Sequence, residues 1–76
     1  MDIKDFITHF AEEFDETDVN VFTPKTVFHE LEEYSSLIAL SIIAMINEEY
    51  DVTLKGDDMS SAITIEDLFN IVKSKM

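Results

Sequence analysis

Two adjacent serines, Ser35 and Ser36, are followed directly by eleven uncharged residues, 37 to 47. A serine acts as a nucleophile when a neighbouring base activates it, but neither a G-x-S-x-G elbow nor an S-x-x-K pair surrounds these two. Self-activated serine catalysis is therefore not expected. Serine is also a common N-cap, and a phosphate ester on a serine at a helix start would lie against free backbone N–H groups and the positive end of the helix dipole. The pattern thus suits a helix cap and a site that another enzyme modifies.

The acidic residues do not follow a calcium-binding pattern. An EF-hand loop needs Glu at its twelfth position, where a loop starting at Asp15 has Thr26 and one starting at Asp57 has Leu68. The two histidines of the chain are isolated, there is no cysteine, and no H-E-x-x-H motif occurs. We therefore expect no metal site and interpret both histidines as surface residues.

The positions of the apolar residues predict helices. They recur at helical spacing over residues 2–14, again from the serine pair to about residue 50, and in a last segment that begins at Thr64 with an acid three residues later, as in a capping box. Residues 57–59 suit one short turn of helix. Residues 15–33 lack the period and are rich in turn formers. The sequence therefore predicts an all-α fold, a small helical bundle of three main helices plus one short helix, with a long first loop.

The second helix is apolar on more than one side. At about 100° per residue, we assign to the core the stripe formed by Ala39, Ile43, Ile46 and Tyr50. The opposite stripe consists of Ile38, Ser41, Met45 and Glu48. We therefore predict that Ile38 and Met45 point away from the core and are available to partner proteins.

Length and charge exclude several classes of protein. The 76 residues predict one domain spanning the whole chain, and a formal net charge of -12 without any arginine disfavours nucleic acid and anionic membranes as partners. The uncharged run is shorter than the roughly 20 residues of a membrane-spanning helix. The first ten residues are acidic where a signal peptide is basic. We expect a cytoplasmic monomer with no membrane span, and basic protein surfaces as its natural complement.

Taken in order over nearly the whole chain, a set of short motifs resembles the acyl carrier protein family. The set comprises Ser-Leu at 36–37, EEYD at 48–51, VTL at 52–54, an acidic turn, and TIxDL at 64–68. The length, the acidity and the long first loop match as well. In that family, the serine of an Asp-Ser-Leu motif carries 4′-phosphopantetheine, whose thiol holds an acyl chain as a thioester.

The resemblance implies that Ser36 is the attachment point, since Leu37 follows it and it stands fifteen residues before Asp51. Ser35 takes the place of the usual Asp and is expected to help cap the helix. The resemblance also implies that the group comes from coenzyme A through a phosphopantetheinyl transferase, that acyl-loading and acyl-processing enzymes are further partners, and that the chain is not itself an enzyme and has no catalytic residue.

Two groups of residues complete the expected site. The core residues that would part around an acyl chain are Phe28, Ala39, Ile43, Ile46, Leu54, Ile65 and Leu68. The surface that would contact partner enzymes consists of Leu37, Ile38, Ser41, Met45 and Glu48.

The chain also departs from the family pattern. The usual Gly three residues before the serine is Glu33, and three second-helix positions that are commonly acidic in fatty acid synthesis carriers are Ile38, Ser41 and Asn47. A specialised carrier, in fatty-acid-like, polyketide-like or other acyl biosynthesis, therefore fits better than the housekeeping one.

Two rival functions stay open at this point. An aminoacyl or peptidyl carrier shares the Ser-Leu motif and the fold, and differs in the activated acid that is loaded. An acidic interaction module of the same fold would never be modified, and differs in accepting no prosthetic group.

Overall fold

A computed structural model describes residues 1–76 and shows four α-helices joined by loops. The helices are α1 (Ile3–Ala11), α2 (Ser36–Tyr50), α3 (Gly56–Ser61) and α4 (Ile65–Ser74). The long first loop contains two 3₁₀ turns, Val19–Val21 and Phe28–Glu30. The predicted all-α bundle of three main helices and one short helix is confirmed. No helix combines the length and the apolar character that crossing a membrane requires.

Helix α1 ends three residues before the predicted limit. The Asp2 carboxylate accepts a hydrogen bond from the Lys4 N–H at 3.1 Å and so caps the start of the helix. At the other end, the Phe14 N–H donates to the Ala11 carbonyl at 3.0 Å, a 3₁₀ contact that tightens the chain beyond the last α-helical residue. Phe14 nevertheless remains buried, because this tighter turn still directs its ring into the core.

Phenylalanine rings connect α1 to the long first loop. All six phenylalanines of the chain are buried. The Phe10 ring lies 5.5 Å from Phe14, 6.0 Å from Phe22 and 5.4 Å from Phe28, measured between ring centroids. Such aromatic pairs contribute beyond the area they bury. The loop is therefore ordered by side chains from its own length that reach α1.

The first turn of α4 also holds this loop. The Ile65 N–H donates to the Thr26 carbonyl at 3.1 Å, and the Glu66 N–H donates to the Pro24 carbonyl at 3.0 Å. The first N–H groups of a helix have no partner within the helix, so these bonds satisfy groups that would otherwise need water. The predicted capping box is confirmed, since the Thr64 hydroxyl accepts from the Asp67 N–H and the Asp67 carboxylate accepts from the Thr64 N–H.

The buried face of α2 differs from the predicted one. Ile42, absent from the predicted core stripe, is fully buried together with Ile46, and Met45 is only 8% exposed. Ile38 is half-buried and packs against the core. The prediction that Ile38 and Met45 point away from the core is therefore wrong. The buried arc centres on Ile42 and is wide enough to include residues of both predicted stripes.

The exposed side of α2, hereafter the outer face, is defined by Leu37, Leu40, Ser41, Ala44, Asn47 and Glu48. It contains two leucines and ends in an acid at the last turn of the helix.

Candidate functional site

The two serines have different places at the start of α2. Ser35 is the N-cap, with an extended backbone, and its hydroxyl oxygen accepts a hydrogen bond from the Ile38 N–H at 3.3 Å. The predicted capping role of Ser35 is thus confirmed. Ser36 is the first helical residue and its side chain is exposed. Because Ser35 supplies the cap, the Ser36 hydroxyl is not needed for it.

The surroundings of Ser36 suit an anionic ester. The hydroxyl lies at the N-terminus of a 15-residue helix whose first turn contains no acidic residue. Backbone N–H groups and the positive end of the helix dipole favour a phosphate at such a position. The exposure of the side chain leaves room for a large substituent. The residues present therefore fit a phosphodiester-linked group on Ser36.

Glu33, three residues before Ser36, turns its carboxylate toward the start of the long loop. Its oxygens accept hydrogen bonds from the Thr17 hydroxyl at 2.7 Å, the Asp15 N–H at 2.7 Å and the Glu16 N–H at 3.0 Å. The Thr17 hydroxyl above all, with these backbone N–H groups, lowers the pKa of Glu33. The carboxylate thus ties the loop to the segment that leads into α2. In the sequence, Glu33 stands out only as a departure from the family pattern, because its partners lie 16 to 18 residues away and leave no local signal.

Glu33→Gln is expected to lower the urea midpoint of unfolding at pH 7, because an amide cannot accept all three bonds as a charged group. A carboxyl whose pKa is lowered by folding stabilises the fold above its unfolded pKa, and this contribution is lost as the pH falls through the folded value. The ordinary pKa of this carboxyl is 4.5. The difference in urea midpoint between wild type and variant should therefore shrink below that pH. Circular dichroism during urea titration at pH 7 and pH 3 measures it.

Glu32→Gln is the matched control, since it removes the same charge from an exposed neighbouring position. The control is expected to show no lowered midpoint at either pH. If the urea midpoint of Glu33→Gln lay as far below that of wild type at pH 3 as at pH 7, the stabilising role of the ionised carboxylate would be contradicted.

An open groove of about 600 Å³ begins at Ser36 and runs between α2 and α3. Its walls are formed by His29, Tyr34, Ser36, Ala39, Leu40, Ile43, Gly56, Met59 and Ser60. The His29 Nε2 donates to the Met59 carbonyl at 2.9 Å and so links the second 3₁₀ turn to α3 across one end of the groove. The Tyr34 ring packs edge-on against Phe28 at 5.4 Å, and burial raises the pKa of Tyr34. The tyrosine therefore presents a neutral phenol to the groove at neutral pH.

The structure brings only part of the predicted acyl pocket to this groove. Ala39 and Ile43 line it beside Ser36. The other five predicted residues are buried in the core, namely Phe28, Ile46, Leu54, Ile65 and Leu68. His29, Tyr34 and Met59 were missed, because they lie in the long loop and the short helix, where no periodic signal exists. A cargo that entered the core would have to separate the buried residues.

The predicted partner surface is also only partly exposed. Leu37, Ser41 and Glu48 lie on the outer face of α2. Met45 and Ile38 do not, because Met45 is buried in the core and Ile38 is half-buried against it. Leu40 was missed and is 63% exposed.

A comparison with models of protein families matches residues 4–72 to the family described as "Phosphopantetheine attachment site". The matched range includes Ser36, the groove beside it and nearly all of the four helices. A search of curated proteins gives no significant match, and a search of solved structures gives none either.

Proposed function

The chain belongs to the phosphopantetheine attachment site family, whose members carry covalent 4′-phosphopantetheine, and from this premise we propose that it is an acyl carrier protein modified on Ser36. The observation that carries the proposal is the position of Ser36, exposed at the first residue of α2 and beside the groove. Ser35 is the less suitable acceptor, because its hydroxyl caps the helix.

The attachment reaction in this proposal is a phosphoryl-type transfer from coenzyme A. A bond forms between the Ser36 oxygen and the phosphorus of the phosphopantetheinyl group, the pyrophosphate bond of coenzyme A breaks, and adenosine 3′,5′-bisphosphate leaves. The hydroxyl proton passes to a base of the transferase, which also supplies magnesium. The contribution of the chain is to present the hydroxyl at the end of a capped, rigid helix, where the dipole favours the resulting phosphodiester.

The attached group supplies a thiol at the end of a long flexible arm, and this thiol carries an acyl group as a thioester. Tethering raises the effective concentration of the cargo at each enzyme that the carrier visits. On the protein side, Ala39, Leu40, Ile43 and Met59 give the groove an apolar wall. That wall supports an acyl rather than an aminoacyl cargo, because a charged amino group would lose hydration against it.

The proposed setting is specialised acyl biosynthesis, of fatty-acid-like, polyketide-like or related type, by a monomer in the cytoplasm. Its partners are a phosphopantetheinyl transferase and the enzymes that load and process the acyl group. The outer face of α2 supports a specialised carrier, because Ser41 and Asn47 lie there where fatty acid synthesis carriers commonly have acids.

The test is the mass of the intact protein after incubation with a transferase of broad carrier specificity, magnesium and coenzyme A. We expect the mass of one phosphopantetheinyl group to be added, and fragmentation of the modified protein to place it on Ser36. An unmodified protein would overturn the carrier assignment, and a group found on another residue would overturn the assignment of Ser36.

A further inference from the structure

We propose that the groove beside Ser36 selects an acyl group with a hydroxyl close to its thioester, a 3-hydroxyacyl chain. Tyr34 donates a hydrogen bond to this hydroxyl, and His29 accepts one from it. This inference rests on the proposed function, because the cargo reaches the groove only on an arm attached to Ser36.

The first observation is a tyrosine hydroxyl without a partner. The hydroxyl of Tyr50 lies 2.9 Å from His9 Nδ1, whereas the hydroxyl of Tyr34 makes no hydrogen bond within the protein. No buried side-chain nitrogen or oxygen lacks a partner, so the Tyr34 hydroxyl is not enclosed in the core. Because Tyr34 lines the groove, its phenol is a donor that a ligand in the groove can use.

The second observation is how firmly Tyr34 is held. Its ring packs against Phe28 at 5.4 Å and against the His29 ring at 5.2 Å, measured between centroids. Its N–H donates to the Leu31 carbonyl at 3.0 Å, and Glu33, just before it, is tied to the start of the long loop. The tyrosine is therefore ordered before a ligand arrives, which lowers the entropy cost of binding.

The third observation is an acceptor beside this donor. His29 Nε2 donates to the Met59 carbonyl at 2.9 Å, so Nδ1 of the neutral ring carries the lone pair and is free to accept. A hydroxyl both accepts and donates, and can therefore bond to Tyr34 and His29 together. A keto oxygen can use only the tyrosine, and a saturated chain can use neither.

The fourth observation is the apolar remainder of the groove. The helices contribute Ala39, Leu40, Ile43 and Met59 to its walls. Gly56 also lines it, and an added Cβ there would meet no atom within 4 Å, so packing does not require a glycine and the wall is left open. A cargo whose hydroxyl lies near the thioester places that hydroxyl at the polar residues of the loop and leaves the rest of its chain to the apolar helices.

The test compares three cargoes on the same arm. A transferase of broad specificity is given 3-hydroxyoctanoyl-, 3-oxooctanoyl- or octanoyl-coenzyme A, so that the acylated arm is placed on Ser36, and the melting temperature of each form is measured. Because the arm is identical, differences between the forms report the cargo. We expect the wild-type hydroxyoctanoyl form to melt above the oxooctanoyl form. The reverse order would overturn the choice of a hydroxyl.

Tyr34→Phe isolates the tyrosine hydroxyl, since it keeps the ring that packs on Phe28. The quantity to follow is the melting temperature of the hydroxyoctanoyl form minus that of the octanoyl form. We expect this difference to fall by about 2–4 °C from wild type to Tyr34→Phe, the lower part of the range for one hydrogen bond in a small domain, because the groove is open to water. Such a double difference cancels the effect of the substitution on the protein itself.

Tyr50→Phe is the matched control, because it removes the other tyrosine hydroxyl, which pairs with His9 outside the groove. It should leave the difference between the two loaded forms at its wild-type value. An equal difference in wild type and Tyr34→Phe would overturn the proposal, as it would if the tyrosine bonded only to the arm.

A second readout uses the wild-type protein alone. In the hydroxyoctanoyl form, NMR should show nuclear Overhauser contacts between the Tyr34 ring and the proton on the hydroxyl-bearing carbon, and their absence would overturn the proposal. Failure of the proposed function would appear separately, as a wild-type protein that accepts an arm from none of the three donors.

Discussion

Ser36→Ala is expected to accept no phosphopantetheinyl group, whereas Ser35→Ala is expected to accept one. The first change removes the exposed hydroxyl oxygen that forms the new bond. The second removes the oxygen that caps α2 by accepting the Ile38 N–H, and leaves the Ser36 hydroxyl in place. Intact mass after reaction with transferase and coenzyme A distinguishes complete loss from retention.

The same pair of variants should rank in the opposite order by stability. Loss of a serine cap costs about 0.5–2 kcal/mol, whereas truncation of an exposed side chain usually changes stability by less than about 0.5 kcal/mol. Ser35→Ala is therefore expected to melt at a lower temperature than Ser36→Ala. Modification of Ser36→Ala, or loss of modification in a folded Ser35→Ala, would show that the other serine is the acceptor.

Met45→Asp is expected to destabilise the protein by at least about 3 kcal/mol, the range for an uncompensated buried charge. Met45 is buried, and it borders a groove between α1 and α2 that also contains Glu12, Glu13, Glu48 and Glu49. A new carboxylate would thus lose hydration and meet like charges. Because small domains are stable by only about 5–15 kcal/mol, much of the total would be lost. Urea unfolding followed by circular dichroism measures the change.

Ser41→Asp provides the comparison, because it introduces the same side chain into the same helix, one turn earlier and on the exposed outer face. Its expected cost is within about 1 kcal/mol, mostly from helix propensity. Equal stability of the two variants would contradict the orientation of α2 described above.

Local signals predicted α4 well, whereas α2 was predicted only in its extent. In α4 the capping pair Thr64 and Asp67 is three residues apart, and the apolar residues form a single stripe, so both signals are contained in ten residues of sequence. In α2, isoleucine, leucine, methionine and alanine occur all round the helix. Such a helix has no unique apolar face, and packing against the rest of the protein decided that Ile42 and Met45 are inside and Leu40 is outside.

The candidate site was likewise predictable from the sequence only in part. The start of α2 and the position of Ser36 could be predicted, because capping serines and the motif Ser-Leu are local. The groove could not, since His29 and Tyr34 come from the long loop and Met59 from α3. The role of Glu33 likewise depends on partners more than fifteen residues away. Interactions of this kind depend on the path of the chain, which periodicity does not describe.

The bonds from α4 to Thr26 and Pro24 have a consequence for the order of folding. They join segments about forty residues apart in the chain, and they fix the loop that leads to Ser36. Closing so long a segment costs entropy before any contact repays it. The loop therefore cannot reach its final form while the helical segments form one after another from the N-terminus. The Pro24 and Thr26 carbonyls gain these partners only when the two distant parts of the chain meet, which makes folding of this part of the loop cooperative with folding of α4.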